Sequence, residues 1–211
     1  MPLSRFDEAY NRIIAGHEGG YVNDPDDAGG ETYKGVSRRF FPDWPGWAII
    51  DRLKREDGFP GNLMIPSRDT AELNAHVRIH FRETFWNRFA GDQLPSEEIA
   101  VELFDQSVHM GPPRAIMHLQ RVLNVLNINE KLYPDLEVDG VFGPKTFHAC
   151  QVLLGSKAAV EANHRNHLRQ QRYLLVGLNA LQGAYYIERM EKRPTNEKYR
   201  GWFDRAIARL P

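Results

Sequence analysis

The sequence predicts an all-α fold, mainly helical, with one small turn or hairpin region near the N-terminus. Three observations predict it. Apolar residues recur at three- and four-residue spacing along most of the 211 positions. Serine or proline stands where helices would begin, and glycine or proline where they would end. Glycine and aspartate crowd one stretch, Gly19 to Gly35, and break the helical pattern there. Hydrophobic residues at 42% and charged residues at 26% leave enough apolar mass for a core and exclude wholesale disorder.

Taken in order, Leu3 to His17 reads as an amphipathic helix with Phe6, Tyr10, Ile13, Ile14 and His17 on one stripe. Gly19 and Gly20 end it, because glycine readily takes the left-handed conformation after a helix. Tyr21 to Ser37 is expected to form turns with a small hairpin or irregular sheet, and Phe41 to Pro66 a structured loop with one short helix. Ser67 is placed to cap a long helix carrying Leu73, Val77, Phe81 and Phe85. Ser96 is placed to cap another, with Ile99, Leu103, Phe104 and Val108 inward and "GPP" at Gly111 to Pro113 as its stop. Arg114 to Asn127 makes a third. After the turn-rich "YPDLEVDGVFGPKT", Pro144 can start the next, and helical pattern runs from Thr146 to Leu210 with an interruption near Pro194. Repeats and low-complexity segments are absent, and no linker separates two domains.

A net charge of −1 argues against a general nucleic-acid binder. The charge is uneven: Lys+Arg minus Asp+Glu is 16 − 23 = −7 over residues 1–150 and 11 − 5 = +6 over residues 151–211. The basic end is either a set of solvated helix faces or a surface for an anionic partner. Cys150, the single cysteine, excludes an internal disulfide and a multi-cysteine metal cage, and reads as a small buried hydrophobe. "MPLSRFDEAYNRII" has no apolar run of signal-peptide length, and no stretch reaches membrane-spanning length. The expectation is a monomer without stable membrane insertion, made in the cytoplasm; if its target lies beyond a membrane, something else must carry it there.

The chemistry concentrates in "HEGGYVNDPDDAGGETYKG", His17 to Gly35. Glu18 stands at the seam between an apolar helix and a polar turn, where partial desolvation raises a carboxyl pKa and suits a general acid. Asp27 lies nine positions on and Thr32 five beyond that. Two carboxyls and a hydroxyl gathered by a turn suit glycosidic cleavage: one acid protonates the leaving oxygen, and the others hold a water or stabilise developing positive charge. Gly29, Gly30 and Gly35 would let backbone approach a sugar ring. The plainer alternative is a Gly/Asp turn with Glu18 as a helix-end charge, a placement that mildly opposes the helix dipole.

"HEGGYVNDPDDAGGETYKGVS" resembles the signature of glycoside hydrolase family 108, the N-acetylmuramidase family of phage endolysins and bacterial wall-editing enzymes. The glutamate of that family's EGGY motif falls on Glu18, its catalytic acid. The element D-x-G-G-x-T-x-x-G-[IV] is matched by Asp27, Gly29, Gly30, Thr32, Gly35 and Val36. The stretch is also similar, more loosely, to the Glu–Asp–Thr set of phage lysozymes, with an Asp-to-Thr gap one residue shorter. Downstream, "FRETFWNRF" resembles the family's Tyr-Trp helix with Phe85 in place of tyrosine. "LFDQSVHMG" resembles its "FD-x-x-V-N-x-G" element with His109 in place of asparagine. "LQRVLN" and "VDGVFGPKT" are similar to the peptidoglycan-binding half of such proteins, and "YRGWFDR" to their closing element.

The resemblance implies a lysozyme-like fold and a muramidase acting on peptidoglycan glycan strands without a metal or organic cofactor. Glu18 is then the acid, supported by Asp27 and Thr32, while Asp26 competes with Asp27 for the cleft. Tyr21, Gly30, Gly35, Trp44 and Asp105 are the candidate substrate contacts. Residues 1–93 would form the catalytic region, and 94–211 a helical peptidoglycan-binding-like region packed with it as one unit. The stripe of Leu119, Val122, Leu123 and Leu126 would then seek its cover in the catalytic half. Two rival readings are a lytic transglycosylase on the same bond and a non-catalytic wall-binding module.

Other candidates carry plainer readings. His76 and His80 have half-metal-site spacing without the glutamate of a zinc protease, so helix-face or core-edge histidines are expected. Trp44, Trp47 and Trp86 could stack on sugars, the first two from a loop, or serve as core mass. Asp105, on an apolar helix, needs a hydrogen-bonding partner unless it lines the cleft.

Overall fold

The computed structural model describes residues 3–15, 20–24, 29–155 and 164–207. Its architecture is mainly α and lysozyme-like, with one small sheet, as the sequence predicts. The chain divides into two compact units, Met1–Thr84 and Phe85–Pro211.

In the first unit, α1 (Arg5–Tyr10) opens on a capping box in which Ser4 and Asp7 satisfy each other's backbone N–H. The α geometry then gives way to a π turn at Asn11–Ala15 instead of continuing to His17. Phe6, Ala9 and Ile13 are buried, while Tyr10 and Ile14 are half-buried. Three short antiparallel strands follow in the order β1 (Tyr21–Asn23), β2 (Glu31–Tyr33) and β3 (Val36–Ser37). Then come α2 (Gly46–Leu53), a 3₁₀ turn at Gly61–Met64, and α3 (Arg68–Thr84). Ser67 caps α3 as expected, its hydroxyl accepting from the Thr70 N–H at 3.2 Å. Leu73, Val77 and Phe81 turn inward with Tyr33, Val36 and Ile50. Gly35, at φ +83°, passes so close to α3 that a β-carbon would sit 3.1 Å from the Phe81 ring.

The second unit begins with 3₁₀ turns at Trp86–Phe89 and Gly91–Gln93, followed by α4 (Glu97–Met110) and α5 (Pro112–Leu126). Ser96 caps α4 through the Ile99 N–H, and Gly111 at φ +82° turns the chain into the Pro112–Pro113 start of α5. Then come α6 (Pro144–Leu154), the long α7 (His164–Lys192), a 3₁₀ turn at Pro194–Lys198, and α8 (Trp202–Ile207). Trp86 is fully buried against Phe89 and Phe104, so it is core mass. The Leu119–Val122–Leu123 stripe packs on α4, α6 and α7, partners within its own unit. Gly177 permits the close α5–α7 approach, since a β-carbon there would meet Val122 at 2.6 Å. Cys150 is fully buried, as expected of a small hydrophobe. Among the described residues, no helix is long and apolar enough to cross a membrane.

Candidate active site

Glu18, Asp26 and Asp27 lie outside the described residues, as does His17. What is described is the small sheet that flanks them in sequence. Its register pairs Tyr21 with Tyr33, Val22 with Thr32 and Asn23 with Glu31, then Thr32 with Ser37 and Tyr33 with Val36. Because side chains alternate along a strand, this register separates two faces. Tyr21, Tyr33 and Val36 share one, which enters the core: Tyr33 is 1% exposed and Val36 is fully buried. Val22, Thr32 and Ser37 share the other, where Val22 is exposed and Thr32 half-buried.

Local hydrogen bonds pin both edges of the turn region. The Ser37 hydroxyl donates to the Gly29 carbonyl at 2.6 Å, and the Thr32 hydroxyl to the Gly30 carbonyl at 3.2 Å. Lys34, itself at positive φ, donates its backbone N–H to the Gly20 carbonyl at 3.1 Å. Gly20 and Gly29 are thus fixed two residues from Glu18 and Asp27 respectively. Gly30 takes φ +59° with open space around it, so its need for glycine is conformational rather than steric.

A ring of four charges holds this sheet to α2. Glu31 meets Arg38 at 3.3 Å and Lys54 at 2.6 Å, and Asp51 meets the same two cations at 2.7 and 3.6 Å. The Lys54 approach is an ion pair rather than an aligned hydrogen bond. The Arg38 guanidinium lies 4.6 Å from the Trp47 ring centre, and Lys54 lies over Tyr21 at 5.6 Å. Arg38 holds the Asp51 carboxyl below its usual range. Partial burial alone would lower Lys54, and Glu31 and Tyr21 more than reverse that. Tyr21 also packs edge-on against Phe59, and burial raises its hydroxyl pKa. Sequence reading singled out none of these four charges. Only the Asp51–Lys54 spacing of three on a helix was visible, and their partners lie 13 to 23 positions upstream.

The remaining candidates separate. Tyr21, Gly30, Thr32 and Gly35 come together on or beside the sheet. Trp44 is 7% exposed, stacks on Tyr33 with ring centres 6.2 Å apart, and donates its indole N–H to the His76 carbonyl. It folds back over Gly46, where any β-carbon would collide with its ring, so little of it is left for a sugar to stack on. Trp47 is also core, 4% exposed and bonded to the Phe41 carbonyl. Asp105 belongs to the second unit and is fully buried. Its carboxylate accepts from Arg205 of α8 and from Gln182 of α7, each at 3.1 Å, which ties the closing element to α4. His109 stands 3.8 Å from the same carboxylate. His80 is a core-edge residue beside Phe41, and His76 lies on the helix face near Glu72. No group of three potential metal ligands occurs among the described residues.

Residues 11–111 match the glycosyl hydrolase 108 family, and residues 114–207 match a predicted peptidoglycan domain. Among solved structures, the chain is similar to SagA of Brucella abortus at 25% identity, covering 97% of this chain and 95% of that one with a TM-score of 0.50. No curated protein matches the chain.

Proposed function

Because residues 11–111 match the glycosyl hydrolase 108 family and residues 114–207 a predicted peptidoglycan domain, we propose that this chain hydrolyses the β-1,4 bond between N-acetylmuramic acid and N-acetylglucosamine in peptidoglycan. The observation that carries the reading is the family match over residues 11–111, which encloses the whole Glu18–Asp27–Thr32 signature. Glu18 donates a proton to the leaving glycosidic oxygen. Asp27 orients the water or stabilises the oxocarbenium-like transition state, and Thr32, half-buried on the sheet face it shares with Val22 and Ser37, supports it. The residues that could act are carboxyls and a hydroxyl, which perform this chemistry by proton transfer and electrostatics. The catalytic role falls to residues 1–93 and wall contact to 94–211, with action in the periplasm or wall after holin- or exporter-dependent release.

Digestion of purified peptidoglycan followed by mass spectrometry tests the reaction class. A reducing muramic acid end is the hydrolase product. An anhydromuramoyl end would replace this reading with a lytic transglycosylase, and intact strands would leave a wall-binding protein without activity.

A further inference from the structure

A concavity of about 380 Å³ opens in the first unit between the loop Phe40–Pro45 and the C-terminal half of α3. Phe40, 64% exposed, and Ile79, 51% exposed, stand on its walls with Phe41. An edge of the otherwise buried Trp44 contributes to its lining. Two carboxylates line the same space, Asp43 from the loop and Glu83 from α3. Neither makes a hydrogen bond or ion pair with any described residue, and no lysine or arginine lines the concavity.

Apolar walls with a few convergent polar groups are the usual make-up of a small-ligand site. Here the two carboxylates share the lining with His76, His80 and Thr84, and the remaining walls are aromatic and aliphatic. That combination suits a cation on an aliphatic arm: the ammonium meets carboxylates and ring faces, and the methylenes meet Phe40 and Ile79. A glycan strand offers no such group. The peptides that hang from muramic acid do, because their diamino acid keeps a free side-chain amine wherever the peptide is not cross-linked.

We propose that the concavity between Phe40–Pro45 and α3 binds the free side-chain ammonium of an uncrosslinked peptidoglycan stem peptide. The proposal rests on the peptidoglycan reading, and it makes the chain sensitive to cross-linking rather than to glycan alone. Asp43 and Glu83 supply the counter-charge, and Phe40 and Ile79 hold the arm.

The test is calorimetric binding of two muropeptides to the full chain, one with its diamino-acid amine free and one with that amine acetylated. The parent should prefer the free amine roughly 5–10-fold, the scale of two exposed ion pairs plus one cation–aromatic contact. In the Asp43→Asn, Glu83→Gln double variant that preference should fall below about twofold, while turnover of peptide-free glycan strands stays at the parent level. A parent that binds both muropeptides equally would overturn the proposal. So would a double variant that keeps the full preference, since the discrimination would then arise elsewhere. The ratio cancels contacts to the rest of the muropeptide, and the double variant assigns the amine preference to the concavity. Cleavage of peptide-free strands reports on the hydrolase reading separately, so either idea can fail while the other stands.

Discussion

Replacing Glu31 by glutamine should loosen the first unit measurably, and the charge ring sets the size of the effect. Glu31 is 12% exposed at its side chain and meets Lys54 at 2.6 Å and Arg38 at 3.3 Å, cations about 30% exposed. Exposed pairs contribute about 0–1 kcal/mol and breaking fully buried ones costs about 3–5 kcal/mol, so these half-buried contacts fall between. Asp51 still faces both cations in the variant, so neither is stranded and the loss stays near the lower end, about 1–2 kcal/mol. For a unit of this size that lowers its melting transition by roughly 5–15 °C. Asp51→Asn, removing a carboxylate 47% exposed, should cost less than about 1 kcal/mol. Differential scanning calorimetry at low and high salt reads both, and the Glu31 deficit should shrink as salt screens the ring. If Glu31→Gln melts within about 0.5 kcal/mol of the parent, or no lower than Asp51→Asn, the ring does not hold the sheet.

Two buried histidines make stability depend on pH. Burial pushes His80 in the first unit and His118 in the second down to about 4. The unfolded chain, titrating near 6.5, therefore binds more protons between these values, and stability falls as pH drops from about 6.5 toward 4. Each unit should lose about 2 kcal/mol between pH 7 and 5, and a melting temperature flat across that window would contradict the burial argument. Gly140→Val should cost the second unit about 3 kcal/mol or more, because a β-carbon at its φ of +75° would lie 2.7 Å from the Pro113 carbonyl oxygen. Denaturant unfolding checks that directly, and a loss below about 1 kcal/mol would show that the turn can shift.

The starts of helices were legible because caps are local. Ser67, Ser96 and Pro144 each stand where a helix begins, and the inward stripes Leu73–Val77–Phe81 and Ile99–Leu103–Phe104 follow from period alone. The π turn after Tyr10 was not, since nothing in the apolar spacing of Phe6 to His17 distinguishes it from α-helix. "FPDWPGW" reads as a structured loop whose tryptophans could stack on sugars or serve as core mass, and only the fold decides: Trp44 lies over Gly46 in the core, a position the missing β-carbon permits. Asp105 needed a partner by the cost of burial. That the partner is Arg205, a hundred positions away, only the packing of α4, α7 and α8 reveals. The Glu31–Arg38–Asp51–Lys54 ring was hidden for the same reason: long-range charge pairing leaves no period in a sequence.

The central claim is that Glu18 is the proton donor of a peptidoglycan glycosidase, and Glu18→Gln tests it most directly. The amide keeps the size of the side chain but has no proton to give, so a general acid's contribution, at least about 10²-fold in turnover, should vanish. The measurement is the initial rate of reducing-end release from purified peptidoglycan by the parent and the variant, with melting temperatures recorded on the same samples. If Glu18 is the proton donor, melting is matched and the rate falls to or below about one hundredth of the parent's. A folded Glu18→Gln chain that still releases reducing ends at near the parent rate would contradict it.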